Sequence, residues 1–517
     1  MRFKRGLLMA ALAAALVAVL VAPASALHER YHTHAEIRSE LKAVAAAYPA
    51  IAQLDTLGYS TTNGYAIWGL KISDNVAVDE DEPVVFYNGI HHAEEIMGGE
   101  VIMWMIDELT TNYGVVDSIT QWVDDIEIWF VPMLNPDGHE IVATGIDTTW
   151  RKNTRDNNGN GVFDLDVDGV DPNYNYDFNW AQGGAGEWES SFYRGTAPFS
   201  ENETQIIRDL CVDIMPIFSM NYHSPLVSMG DLIYYTWYWP QIGFCPDYDV
   251  ISDVAGTTAA KTTKLDDTSY YAVYGYSTAG KCRNWQYGVH GIIGLTMEIM
   301  SQMCIPPGSD VDEYCERVSL GSYYLLDRVT GPGVTGHVTD GETGLPLVAE
   351  VKVIENSSPE IMPRYSDALY GRYWRMLVDG TYTVEFSCDG YDTVTFTDVI
   401  VTASGLTPLS AVLWPTGTAV PEDVETGARI MNAAPNPFRG QTTVSFASPR
   451  GLSATVEIYA ASGRLVDRIE AAPDANGHGA VVWHGTDATG ADVGSGVYFA
   501  RLVTPVGQDQ VKVVYLK

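Results

Sequence analysis

PVVFYNGIHHAEEI, residues 83–96, is the stretch from which the rest of the chain can be read. An apolar run rich in β-branched and aromatic residues stops at Asn88-Gly89, and two histidines with two glutamates follow at once. The run reads as a buried strand, and MGGEVIMWMIDELTTNYG (97–114) reads as a helix after it. Side chains suited to chemistry therefore sit where a strand hands over to a helix. His91/Glu94 and His92/Glu95 both have H-x-x-E spacing, a common metal-ligand pattern, so the stretch alone does not choose between them.

Working outward, IRSELKAVAAAYP (37–49) predicts an amphipathic helix and IEIWFVPML (126–134) a second buried strand. This alternation over residues 27–330 predicts an α/β domain, a mixed sheet flanked by helices. Functional side chains in such folds gather at the carboxyl ends of the strands. Short β runs and turn dipeptides then replace helices over 334–415, predicting a small sandwich. Residues 416–428 are a Pro/Gly/acidic linker, and 429–517 predict a second all-β module. Neither module shows a cluster of catalytic side chains.

The 517 residues carry a formal charge of −36, which excludes nucleic-acid binding for want of a basic footprint. Arg2, Lys4 and Arg5 precede an apolar run that ends at Ala24-Ser25-Ala26. That is the pattern of a secretory signal, residues 1–26, cleaved after Ala26. The expected product is secreted. Of six cysteines, Cys304 and Cys315 are the pair expected to close a short loop, with at least one thiol left free.

Further blocks follow the opening stretch in order: VPMLNPDGHE (131–140), WRKNTR (150–155), GVDPNYNYDFNW (169–180), SMNYHSP (219–225), YGYSTAGKCRNWQYG (274–288) and GLTMEIM (294–300). Together they resemble the zinc carboxypeptidases of the M14, or funnelin, family over about 300 residues, which implies that family's eight-stranded-type twisted sheet. The resemblance implies one zinc ion held by His92, Glu95 and His223, with a peptide or protein C-terminus as substrate. His91 then becomes a neighbour, either supporting the site or a buried polar residue without a role. Glu298 matches the general base and acid, and Arg151 the arginine that polarises the scissile carbonyl. Asn173 matches a contact to the terminal carboxylate. Tyr276 matches a tyrosine that closes over the substrate, with Tyr274 a competing alignment. Arg155 matches a less central basic position, with a salt bridge as its expected role. No N-terminal pro-segment is expected. Residues 334–415 resemble the carboxypeptidase regulatory-like domain and 429–517 the FlgD-like and type IX sorting group. The latter implies contact with export machinery or the cell surface.

The pattern breaks in two places. Tyr174 stands where the family carries the arginine that clamps the C-terminal carboxylate, and Glu94 replaces another arginine. Arg283 occupies the specificity position, which implies a preference for acidic C-terminal residues or a substitute grip on the terminal carboxylate. A surface salt bridge is the other reading of Arg283. Two alternatives to a carboxypeptidase stay open: a related peptidase or amidase acting on cell-wall peptides, and a non-catalytic surface binding protein. In RDNNGNGVFDLDVDGVD (155–171), Asp156, Asn158, Asn160 and Asp164 place oxygens at alternate positions, with Gly161 at a tight turn. A calcium-stabilised loop and a solvated loop of Asx turns both fit.

Overall fold

The computed structural model describes residues 29–517 except 225–230, 277–278, 300–304, 418–428, 449–453, 461–462, 472, 474–477 and 505–506. The signal-type segment 1–26, Cys304 and most of the linker lie outside the described residues. Cys315, the partner expected for Cys304, is a buried free thiol, as are Cys211, Cys245 and Cys282.

Among the described residues, ten strands and eight α-helices build the part of the chain before residue 330. The strands are β1 (Ala52–Tyr59), β2 (Ala66–Ile72), β3 (Val84–Asn88), β4 (Glu127–Val131), β5 (Phe218–His223), β6 (Leu232–Tyr235), β7 (Tyr238–Trp239), β8 (Gly243–Phe244), β9 (Tyr271–Tyr274) and β10 (Ile293–Glu298). The helices are α1 (His34–Ala47), α2 (Met97–Asn112), α3 (Asp117–Asp125), α4 (Pro136–Ala143), α5 (Asn202–Ile214), α6 (Tyr248–Lys261), α7 (Cys282–Trp285) and α8 (Val311–Arg328). Eight strands form one mixed sheet in the order β1-β2-β4-β3-β5-β10-β6-β9. The four central strands, β4, β3, β5 and β10, run parallel. Every residue of β3 and of β5 is buried, which is why these segments read as continuous apolar runs rather than alternating ones.

Local chemistry sets the helices on this sheet. Thr33 and Glu36 form a capping box that starts α1. Helix α2 begins almost on top of the strand ends, because Gly98 presents no side chain there. A Cβ at Gly98 would stand 2.6 Å from Cβ of Tyr222, so a larger residue would lift α2 away from the end of β5.

The segment 333–413 forms two small sheets around Val334, Val338, Val351 and Phe386. Residues 429–515 form two more around Phe446, Val456, Trp483 and Leu502. The first of these modules is docked on the large domain by specific charges. Asp81 takes a bidentate pair from Arg372 (2.6 and 2.7 Å) and a bond from His337 (2.8 Å). Asp247 accepts from Asn356 (2.9 Å), Arg375 (3.3 Å) and the Tyr287 hydroxyl (2.9 Å). Arg364 donates to the Tyr287 carbonyl at 2.5 Å. The module therefore braces the turn Gln286–His290, which directly follows α7.

Candidate metal centre and active site

The parallel strands β3, β5 and β10 bring three loops together at their carboxyl ends. After β3 the backbone turns sharply at Ile90, which has φ 54°. A β-branched residue in the left-handed region is strained, and neighbouring structure must hold it there. The amide of Asn135 donates to the Ile90 carbonyl (3.0 Å) and that of Leu134 to Gly89 (3.1 Å). The Asn135 side chain adds bonds to the carbonyls of His91 (3.1 Å) and Lys152 (3.2 Å). This turn sends the two consecutive histidines in different directions.

His92, Glu95 and His223 converge. His92 Nδ1 lies 2.9 Å and His223 Nδ1 2.7 Å from Glu95 Oε2, and the two Nδ1 atoms are 3.1 Å apart. Ligand atoms in a tetrahedron about 2.0–2.1 Å from a zinc ion would be roughly 3.3 Å apart. Two imidazoles and one carboxylate are also the donor set of a hydrolytic zinc, so residues and spacing both fit that ion. His91 takes another course: its Nε2 pairs with the Tyr176 hydroxyl at 2.9 Å, and its ring stacks on His223 with centroids 5.6 Å apart. Glu94 is buried with one carboxylate oxygen lacking a described partner. Burial, then the neighbouring Glu95, pushes it up to about 8.

Asp171, the last residue of the oxygen-rich 155–171 stretch, organises this cluster, a role at the zinc site not assigned to it in the sequence. Fully buried, it takes His92 Nε2 at 3.1 Å on Oδ1 and Arg151 Nε at 3.0 Å on Oδ2. The first bond places the proton of His92 on Nε2 and leaves Nδ1 free to ligate. Burial opposes the ionised form of Asp171, but Arg151 and His92 outweigh it and hold the carboxyl well below the usual range. Burial and Arg151 oppose protonation of His92, yet Glu95 and Asp171 raise it to about 9. Burial, in contrast, lowers the neighbouring His223 to about 4, so only one of the two imidazoles is drawn toward the charged form. The available signal was a carboxylate two residues before Asn173 in GVDPNYNYDFNW.

Glu298 ends β10 in register with His223 on β5. Its Oε2 is buried without a described hydrogen-bond partner. Burial, followed by repulsion from Glu95, pushes Glu298 up to about 7. Arg151 is half-buried and also reaches Glu95 at 3.3 Å. Asn173 links the centre to α7: its Nδ2 faces His223 Nε2 at 3.3 Å, and its Oδ1 accepts from the Cys282 amide at 3.2 Å.

Arg283 is buried, not in a surface salt bridge. Its Nη1 donates to Thr296 Oγ1 at 3.2 Å, its guanidinium lies 5.2 Å from the centroid of Tyr234, and Nε has no described partner. Thr296 and Tyr234 are themselves partners across β10 and β6. Tyr174 is half-buried, edge-on to Phe192 and beneath the ammonium of Lys281, whose Nζ is 5.2 Å from the ring centroid. Lys281 also went unremarked in the sequence, although it lies two residues before Arg283. Tyr276 is 72% exposed and packs edge-on against Tyr274. Arg155 stands apart in an ion pair with Glu201 at 2.8 Å, the structural bridge expected of it.

The 156–164 loop closes on itself. Asp156 accepts from the amides of Gly159 (2.7 Å) and Gly161 (2.8 Å), and the side chains of Asn158 and Asn160 both donate to Asp164. Its carboxylates are satisfied by the loop's own donors, which favours the Asx-turn reading over calcium.

Replacing Asp171 by Asn should weaken zinc binding roughly 10- to 100-fold. Competition with a chelating dye measures this, and an unchanged affinity would refute the role given to Asp171.

Comparison with known proteins bears on the family and the fold. The zinc carboxypeptidase family model, peptidase M14, matches residues 37–320. The FlgD Ig-like domain model matches residues 432–504. A zinc carboxypeptidase from Saccharothrix mutabilis subsp. capreolus is 39% identical over 151 residues, 29% of this chain and 33% of that protein. The match thus spans about a third of that relative's length. Carboxypeptidase B from Astacus astacus is 28% identical over 271 residues, 51% of this chain and 83% of that one. The crystal structure of carboxypeptidase A from Helicoverpa armigera shares the fold at 20% identity, with a TM-score of 0.52 over 58% of this chain and 73% of that chain. The family match covers more than half of the chain, and the chain belongs to the M14 zinc carboxypeptidase family.

Proposed function

We propose that the protein is an exported metallocarboxypeptidase that removes single C-terminal residues and prefers Glu and Asp. The observation that carries this is the meeting of His92, Glu95 and His223 beside Glu298, with Arg283 buried nearby. Held by His92, Glu95 and His223, a zinc ion would supply a Lewis acid toward the scissile carbonyl and the attacking water. Asp171 keeps the Nε2 proton on His92 and orients Arg151. Arg151 donates to the carbonyl oxygen as it gains negative charge. Glu298 accepts the proton of the attacking water and passes it to the leaving amine nitrogen. Arg283, tied to Thr296 and without a carboxylate partner among the described residues, offers its charge to an acidic side chain.

Export rests on residues 1–26, and FlgD-like residues 429–517 would engage export machinery or the cell surface. N-terminal sequencing of exported protein should begin at Leu27; retention of Met1 would sink the cleavage assignment.

Peptides differing only in the last residue test the activity. Stepwise loss of Glu or Asp is expected to exceed that of Leu or Lys, and amidation should block it. Glu298→Gln should lower kcat about 10²- to 10⁴-fold. Cleavage of amidated peptides, or equal cleavage of every C-terminal residue, contradicts the proposal in its first or second part.

The pH profile follows from Glu298. Its carboxyl is raised from 4.5 to about 7, and the base must be ionised to act. Activity should therefore rise with pH along a limb lying between those values, since a bound dication pulls the carboxyl back down. A limb at or below the ordinary glutamate range would contradict the burial argument.

A further inference from the structure

Three cations border the site, and they differ in what they are bound to. Arg151 is held by two carboxylates, Asp171 and Glu95. Lys281 and Arg283 make no ion pair among the described residues; each lies over an aromatic ring, Tyr174 and Tyr234. Placing a cation in a partly or fully buried position without an anion is costly. Burial first, then Arg283, pushes the Lys281 ammonium down to about 8 against the pull of Glu298 and the more distant Asp171. The pair is short of negative charge.

Lys281 is not a free surface lysine. It follows Gly280, whose φ of 53° turns the chain back. Gly280 donates to the Phe178 carbonyl at 2.7 Å and accepts from the Tyr176 amide at 3.1 Å. A Cβ at Gly280 would meet the Tyr174 carbonyl at 3.0 Å. This turn is thus stitched to the Tyr174–Phe178 segment, and the stitching sets the ammonium over the Tyr174 ring. Depth separates the two cations. The Thr296 partner of Arg283 lies two residues before Glu298 on β10, back from the strand end, and Arg283 is buried where Lys281 is only half-buried.

We propose that Lys281, carried over the Tyr174 ring, binds the α-carboxylate of the substrate's last residue, leaving Arg283 to receive an acidic side chain. A C-terminal Glu or Asp presents two carboxylates, and two uncommitted cations stand ready for them at different depths. The α-carboxylate lies next to the scissile bond and meets the outer cation. The side chain extends inward to the buried one. Asn173 stands beside the outer position as a neutral donor. The assignment rests on the carboxypeptidase reading above and adds the anchor common to every free C-terminus.

The two cations then have separable signatures. Full-length, zinc-loaded wild type, Lys281→Met, Lys281→Gln, Lys281→Arg and Arg283→Leu would be assayed on peptides ending in Glu or Leu, as free acids and as amides. Zinc content and thermal transitions would be recorded for each. Lys281→Met and Lys281→Gln should raise KM on the order of 10- to 100-fold for both free acids, with kcat little changed. Lys281→Arg should recover most of the loss, and Arg283→Leu should weaken the Glu peptide alone. If both neutral variants keep wild-type KM on the Leu peptide, Lys281 is not the anchor, although the carboxypeptidase reading stands. A KM rise confined to the Glu peptide would likewise overturn the assignment. If wild type cleaves no free-acid peptide, the underlying reading fails instead. Should Lys281→Met lose its folding transition, Lys281→Gln against Lys281→Arg decides alone.

Discussion

The buried carboxylate of Asp171 is the constraint on which the site depends. One oxygen takes His92 Nε2 and the Asn173 amide, and the other takes Arg151. Three loops from distant parts of the chain are thereby referred to a single point. In a low-dielectric interior such bonds are strong when complete and costly when one member is missing. The metal-binding tautomer of His92 and the position of Arg151 are therefore fixed together. The tight approach of α2 at Gly98 and the left-handed turn at Ile90 give this point a rigid floor.

Charge is sorted along the site. Carboxylates and imidazoles crowd the end where a dication fits, and cations without carboxylate partners occupy the other end. Glu298 stands between them, one oxygen without a hydrogen bond among the described residues and its carboxyl raised to about 7. The proton carrier proposed above would need such a state. Glu94, buried beside Glu95 and likewise raised, is most easily accommodated neutral. That explains how a second glutamate can sit beside the ligand set without adding another full negative charge.

Much of this was legible in the sequence, and the rest was hidden for definite reasons. Uninterrupted apolar runs announced β3 and β4, and the reactive side chains stood where those runs ended. H-x-x-E spacing could not separate His91 from His92, because the choice is made by the backbone at Ile90 and by Asp171 some 80 residues later. Alternating oxygens in the 156–164 loop look the same whether they face an ion or their own amides. The burial of Arg283 was open in the sequence, since it is set by the Thr296 and Tyr234 partners across two strands. The place of Lys281 over the Tyr174 ring was invisible in the sequence because the two lie more than a hundred positions apart.

The docking of the first β module reaches further than support. Arg364 and Arg375 grip the carbonyl and acid that hold the turn behind α7, the short helix bearing Arg283. The segment that carries Arg283 is thus shared property of two folding units. Chain exchange between relatives at residue 330 would separate that segment from its buttress. A seam placed after residue 415 would carry both across together, so the modules are not interchangeable beads, and the Arg283 segment travels with its support.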